Sequence, residues 1–283
     1  MPSCKRSDVD LYYEISGNGP PLLMIQGVGA CGEAWRPQID ELSASFTTLL
    51  FDNRGIGRSQ PCTGPITIES MVEDARHLMD AVGWPTAHVM GHSMGGVIAQ
   101  QLALDCPERI RSLALLCTFA RGKDAARITP AVLWMTLKCR VGSRASRRRA
   151  FLDLLFAKEF LRTADLDQWV IRVGLLVGRD LADSPPILMK QLGALGRHDS
   201  SKRLAELAQI PTLVISGEYD PIALPRYGKA IAEGIPGAHF ESWPGASHGL
   251  TIQTASELNR RLKGFLDSVE SSSTPVISPG GSD

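Results

Sequence analysis

Ser93 stands in the run Gly91-His92-Ser93-Met94-Gly95-Gly96, where three glycines crowd one hydroxyl. Glycine weakens helix and strand interiors by roughly 0.5–1 kcal/mol relative to alanine, so the cluster points to a backbone geometry that side chains would obstruct. A serine hydroxyl is a poor nucleophile near neutral pH. It needs a histidine to take its proton and a carboxylate to orient that histidine. Downstream, "ISGEYDPIALP" supplies Asp220 just past an apolar run, and "WPGASHGL" supplies His248 in a loop before the last helical pattern. Ser93, Asp220 and His248 are therefore the candidate nucleophile, acid and base, in that chain order. Glu218 is the rival acid and is read as facing solvent or capping its loop. Of the other histidines, His77 falls in a helical pattern, and His88 and His239 begin strands. His198 lies in the loop that closes the middle region, with substrate contact as its minor reading, and His92 packs beside the serine. A developing oxyanion needs two donors. The amide of Met94, directly after the nucleophile, is one candidate, and the amide of Val28 in "QGVGA" is the other.

Those side chains need a scaffold that delivers them to one place. "VDLYYEISG" alternates and ends in glycine, as one strand of a hairpin does. "PPLLMIQG" and "FTTLLF" are continuous apolar runs, the pattern of buried central strands. "IESMVEDARHLMDAVG" has helical periodicity, with Met71, Ala75, Leu78 and Met79 on one face and Gly83 as the stop. A short strand over Ala87–Met90 leads into the serine turn and a helix from Ser93 to Asp105, and "IRSLALLC" is the next strand. Strand and helix in alternation imply an α/β fold, a mostly parallel sheet with helices on both faces. A nucleophile on a sharp turn between a central strand and a helix is then held exposed at the sheet's carboxyl edge. The helix amino terminus beneath it favours negative charge.

From residue 121 to 201 only helical patterns occur, and alternation resumes at "IPTLVISG". Residues 1–120 and 202–270 thus read as one α/β domain interrupted by a helical insertion at 121–201. The last helix is expected over Ala255–Val269. Residues 271–283 are rich in Ser, Pro and Gly and read as a disordered tail.

The chain has 283 residues with 30 basic and 30 acidic side chains. Zero net charge argues against a nucleic-acid partner. No apolar run is long enough to span a membrane, and "MPSCKRSDVD" lacks the apolar core of a secretory signal. Six scattered cysteines without C-x-x-C spacing indicate neither a disulfide framework nor a zinc site, which fits a cytoplasmic protein. The sequence leaves homo-oligomerisation open.

Taken together, "GHSMGG", "FDNRGIGRS", "SGEYDPI" and "SHG" resemble segments of the α/β-hydrolase superfamily over about Val9 to Val269. Small bacterial serine esterases and enol-lactonases with a helical cap are the nearest in flavour. The resemblance implies hydrolysis without metal or organic cofactor. One departure concerns Gln26-Gly27, where relatives usually carry His-Gly; it bears on substrate preference more than on catalysis. Dehalogenases and epoxide hydrolases of the superfamily use an aspartate where this chain has Ser93.

The insertion is expected to roof the site, with Leu133, Trp134, Phe151, Leu155, Phe156 and Trp169 as candidates for an apolar pocket alongside Gln26. Any of these could instead glue the insertion to the main domain. Arg144, Arg147, Arg148 and Arg149 read as a solvated helix face. Asp52, Arg54, Gly55 and Gly57 read as a loop held by charge pairing beside the site. The resulting expectation is a serine hydrolase of small, largely apolar esters or lactones. Carbon–carbon bond hydrolysis, perhydrolysis and acyl transfer are rivals on the same triad. A ligand-binding receptor on the same fold is the rival of another class, and an intact Ser93, Asp220 and His248 speaks against it.

Overall fold

The computed structural model describes residues 3–125, 134 and 137–273. The apolar runs become strands β1 (Ser3–Lys5), β2 (Asp10–Ser16), β3 (Pro21–Ile25), β4 (Thr47–Phe51), β5 (Ala87–His92), β6 (Ile110–Leu116), β7 (Thr212–Gly217) and β8 (His239–Trp243). They form one sheet in the order β1-β2-β4-β3-β5-β6-β7-β8. The β1–β2 and β2–β4 pairs are antiparallel, and every later pair is parallel. Strands β3, β5, β6 and β7 are buried almost end to end, as strands covered on both faces must be.

Helices α1 (Arg36–Leu42), α2 (Ile68–Ala81) and α3 (Met94–Asp105) cover the first half of the sheet. Helix α2 opens on a capping box: Thr67 accepts from the Ser70 amide, and the Ser70 hydroxyl accepts from the Thr67 amide. Gly83 closes it at φ 71°. The sequence reading did not assign α1, although Pro37 in its first turn is a helix-start signal. Between β6 and β7 come α4 (Gly122–Ala125), α5 (Arg144–Leu155), α6 (Lys158–Thr163), α7 (Leu166–Val177) and α8 (Ile187–Arg197). Among the described residues this stretch joins no strand to the sheet; its one β contact is the isolated bridge Arg121–Asp199. It has an apolar centre of its own, where Leu152, Phe156, Leu161, Val173, Val177 and Leu181 pack with Ile252.

Helices α9 (Pro225–Gly234), α10 (Leu250–Gln253) and α11 (Ala255–Ser273) complete the chain. Helix α11 runs past the expected end at Val269. The Ser271 and Ser272 hydroxyls donate back to the carbonyls of Asp267 and Ser268, so serines that look like a linker continue the helix instead. Of the predicted tail, residues 274–283 lie outside the described residues. Among the described residues no helix is long and apolar enough to cross a membrane.

Candidate active site

Strand β5 ends at His92, and Ser93 turns the chain into α3 at φ 55° and ψ −121°. A non-glycine residue with positive φ is strained, and the neighbours explain why Ser93 tolerates it. A Cβ on Gly95 would lie 2.0 Å from the Ile25 carbonyl oxygen, and one on Gly91 would lie 2.4 Å from that of Gly95. Strand and helix thus approach too closely for any side chain. The Ser93 amide donates to Leu116, and its carbonyl accepts from the Gly96 amide and the Thr118 hydroxyl, so the turn is tied to β6 on one side and α3 on the other. Gly95→Ala is expected to cost about 1–3 kcal/mol through overpacking, read as a lower urea midpoint. An unchanged midpoint would show that the turn does not need this close approach.

The three residues the sequence singled out meet at this turn. His248 Nε2 lies 3.1 Å from Ser93 Oγ, and His248 Nδ1 lies 2.8 Å from Asp220 Oδ2. All three are buried, at 7%, 5% and 1% exposure for Ser93, His248 and Asp220. A carboxylate only accepts, so Nδ1 carries the proton and Nε2 faces the serine as an acceptor. Asp220 is itself held: its other oxygen accepts from the amides of Ile222 and Ala223, each at 2.8 Å. Glu218 is exposed and accepts from the Gly245 amide, the loop-capping place expected for it.

His92 lies behind His248, with ring centroids 4.9 Å apart, and donates from Nε2 to the His248 carbonyl at 2.9 Å. Burial, reinforced by the neighbouring His248 ring, pulls His92 down to about 3, against the pull of its bond to the His248 carbonyl and the Asp220 charge. The unfolded chain takes up a proton at His92 near its ordinary value of 6.5, whereas the folded chain resists until about 3. Stability from this residue is therefore present above pH 6.5 and lost as pH falls toward 3. His92→Gln is expected to flatten the decline of the urea midpoint across that window. An equally steep decline in the variant would remove His92 as a cause.

Cys117, directly after β6, is fully buried and also has positive φ, at 46°. Burial pushes its thiol well up, and the Asp220 charge adds to the effect. His92, Cys117 and His248 bring one ligand atom each within 4.8 Å of one another, a grouping their sequence spacing does not reveal. Both histidines are already engaged in the hydrogen bonds above, and the Cys117 thiol donates to the Ser247 carbonyl at 3.8 Å.

The loop after β3 lies against the serine. A Cβ on Gly27 would lie 2.9 Å from Ser93 Cβ. Val28 lines the cavity over the serine, while Met94 is buried as the first residue of α3, where an amide lacks an intrahelical acceptor. The loop is pinned from below: Asn53 Nδ2 donates to the Gln26 carbonyl, and the Gly32 amide donates to Asp52. From above, the Gly29 amide donates to the Gln191 side chain of α8 at 2.8 Å. Gln26 is buried, its Oε1 accepts from the Gly27 amide, and its Nε2 has no partner among the described residues.

The cavity measures about 320 Å³, at the small end of ligand sites, which run from about 300 to 1,000 Å³. Gln26, Phe151 and Leu155 line it, as expected. Phe156 and Trp169 do not. They stack with Phe160 at centroid distances of 4.8–5.4 Å inside the insertion's own core. Trp134 is 58% exposed beneath Lys138, and Leu133 lies outside the described residues. Apolar residues on an inserted helix serve either its own core or the cavity, and composition does not separate the two. The reading also missed Arg179, Leu188 and Leu192, which line the cavity, and Gln191, which holds its rim. The arginine cluster is less free than expected: Arg144 bonds Asp180 and Asp183, and Arg148 bonds Asp180.

The family model for the alpha/beta hydrolase fold matches residues 20–253. The provisionally named carbamate hydrolase RutD of Azorhizobium caulinodans is 30% identical over 95% of this chain and 100% of its own. The enol-lactonase from Burkholderia xenovorans superposes with a TM-score of 0.78 at 29% identity, covering 94% of this chain and 100% of that one. A thermophilic esterase from Thermogutta terrifontis gives 0.78 at 25% identity, covering 95% and 99%.

Proposed function

The chain belongs to the α/β-hydrolase family, and from that premise we propose that it is a serine hydrolase of small carboxylic esters or lactones. The observation that carries the reading is the hydrogen-bonded run Asp220–His248–Ser93, with distances of 2.8 and 3.1 Å, opening on the cavity. His248 Nε2 takes the Ser93 proton as Oγ attacks the carbonyl carbon. Asp220 keeps the imidazole oriented and balances its positive charge. The amides of Val28 and Met94 hold the oxyanion, a contribution of several kcal/mol in comparable sites, of order 3–4 per donor. His248 then protonates the leaving oxygen, and an acyl group remains on Ser93. Water, deprotonated by His248, attacks that ester and frees the acid.

A carbamate is a second reading, favoured by the name of the Azorhizobium relative. It presents the same acyl carbon, so the same steps would apply with a carbamoyl group on Ser93. The test is turnover by the wild-type protein of p-nitrophenyl esters of graded acyl length, aliphatic lactones and a phenyl carbamate. The cavity volume predicts that short acyl chains or small lactones are best. Folded protein that turns over none of them would overturn the acyl-transfer reading.

A further inference from the structure

Arg179 brings a guanidinium to the cavity that holds Ser93. It follows Gly178, which ends α7 at φ 77°, and its side chain lies over the Phe151 ring at 5.3 Å. Its Nη1 donates to the main-chain carbonyls of Asp183, at 2.9 Å, and Asp180, at 3.4 Å. Among the described residues Nε is buried without a partner, and no carboxylate pairs with the guanidinium. The two nearest acids are already engaged, Asp180 by Arg144 and Arg148 and Asp183 by Arg144. Residues 126–136 contain no Asp or Glu.

Arg179 is partly buried, and a partly buried cation whose hydrogen bonds go to neutral carbonyls is an unbalanced charge. Burial accordingly pulls the Arg179 guanidinium below the usual arginine range, with Asp183 and Asp180 opposing. Its Nη2 lies beside the loop that follows β3. A Cβ on Gly29 would lie 3.5 Å from Arg179 Nη2, and Gly29 is two residues from Gly27, which touches Ser93. The cavity's other cation, Arg140, is exposed to solvent and reaches the neutral Met189 Sδ at 2.9 Å. The one acid on the cavity wall among the described residues is Asp183, whose carboxylate is taken by Arg144 at 3.1 Å. Apart from these charges the walls over the serine are chiefly apolar, with Phe151, Leu188 and Leu192 among them.

We propose that the substrate carries a carboxylate, and that Arg179 receives it through Nη2 while the ester or lactone carbonyl lies between Ser93 and the Val28 and Met94 amides. The substrate class rests on the acyl-transfer reading of the site; the anion site does not. Arginine suits the task because its charge is permanent and its donors are fixed in a plane. Phe151 holds that plane from one face. The proposal replaces the expectation of a largely apolar substrate with that of a small acid whose far end is charged.

The test uses a pair that differs in charge and hardly in shape, 4-acetoxybenzoate and 4-acetoxybenzamide. Wild type is expected to favour the benzoate by about 10- to 100-fold in kcat/KM, the worth of one hydrogen bond to a charged group, expressed mainly in KM. Arg179→Met is expected to bring the ratio to about one. Arg179→Lys, which keeps the cation if the methionine variant fails to fold, is expected to retain part of the preference. Calorimetric binding of the same pair to Ser93→Ala separates the two readings. Preferential binding of the benzoate, lost on adding Arg179→Met, supports the anion site even if wild type turns over neither compound. Equal handling of the pair in both binding and turnover, or a preference that survives Arg179→Met, overturns it.

Discussion

Ser93→Ala is expected to lower kcat/KM for a p-nitrophenyl ester by about 10⁴- to 10⁶-fold, the range for removing the nucleophile of a serine–histidine–acid site. Alanine removes one oxygen from a buried residue, and its Cβ stays where the turn needs it, so the fold should not change. What remains after the substitution is what the Val28 and Met94 amides and the cavity walls give to water attack. His248→Ala should cost about as much, and the double variant hardly more, because the two side chains act as one unit. The single variants and the pair, assayed for turnover and thermal unfolding together, decide this. A loss below tenfold in Ser93→Ala, with the fold intact, would remove Ser93 from the chemistry. Additive losses in the double variant would separate the roles of Ser93 and His248.

Asp74→Asn is expected to be the most destabilising single polar change, at about 3–5 kcal/mol. Arg54 is completely buried and grips Asp74 in two parallel bonds, Nε to Oδ2 at 2.6 Å and Nη2 to Oδ1 at 2.7 Å. Its Nη1 donates to Asp8 and to the Pro65 carbonyl, both at 3.0 Å. Burial works against the guanidinium charge, but Asp74 and Asp8 outweigh it and hold the group above the usual arginine range. Asparagine would keep the shape and remove the charge, which leaves a buried cation with only Asp8 to balance it. The effect reaches the site because Arg54 follows Asp52 and Asn53, which pin the loop beside Ser93. A melting temperature lower by roughly 10 °C is expected for a chain of this size. Replacing both partners with apolar residues, Arg54→Met with Asp74→Leu, should recover part of that loss, since it removes both fully buried charges, while Asp8 and Arg6, which each lose a partner, are partly exposed. A shift below about 2 °C in Asp74→Asn would show that the pair is neutral to stability.

Much of this site is legible in the sequence because its decisive features are local. The glycines around Ser93 record the contact of α3 with Ile25, a steric demand that acts within a few residues and leaves its mark there. Asp220 and His248 each follow a strand and sit in a loop that the alternation of strand and helix places at the same sheet edge. The cavity is less legible. Phe151 lies within α5 and Phe156 just past its end, and while both touch the insertion's core only Phe151 also lines the cavity. Which face turns inward depends on how α5 and α7 pack, and both faces carry apolar residues. Gln191 and Arg179 were missed for a related reason. Gln191 bonds the loop after β3 and Arg179 lines the cavity beside it, both far from that loop in the chain, and neither lies in a motif. The signal that could have flagged Arg179 is its position just after a glycine helix stop, at the end of the apolar run Val173–Val177.

The central claim is that an acyl group passes through Ser93 Oγ, and its most direct test is to trap that intermediate. The wild-type protein would be mixed with p-nitrophenyl acetate, quenched in acid within milliseconds to seconds, and measured by intact mass and peptide mapping. The account predicts one acetyl group per chain on the peptide that contains Ser93, formed with a burst of p-nitrophenol and absent from Ser93→Ala. Turnover without any adduct, or an acetyl group on another residue that forms and decays at the rate of turnover, would contradict it.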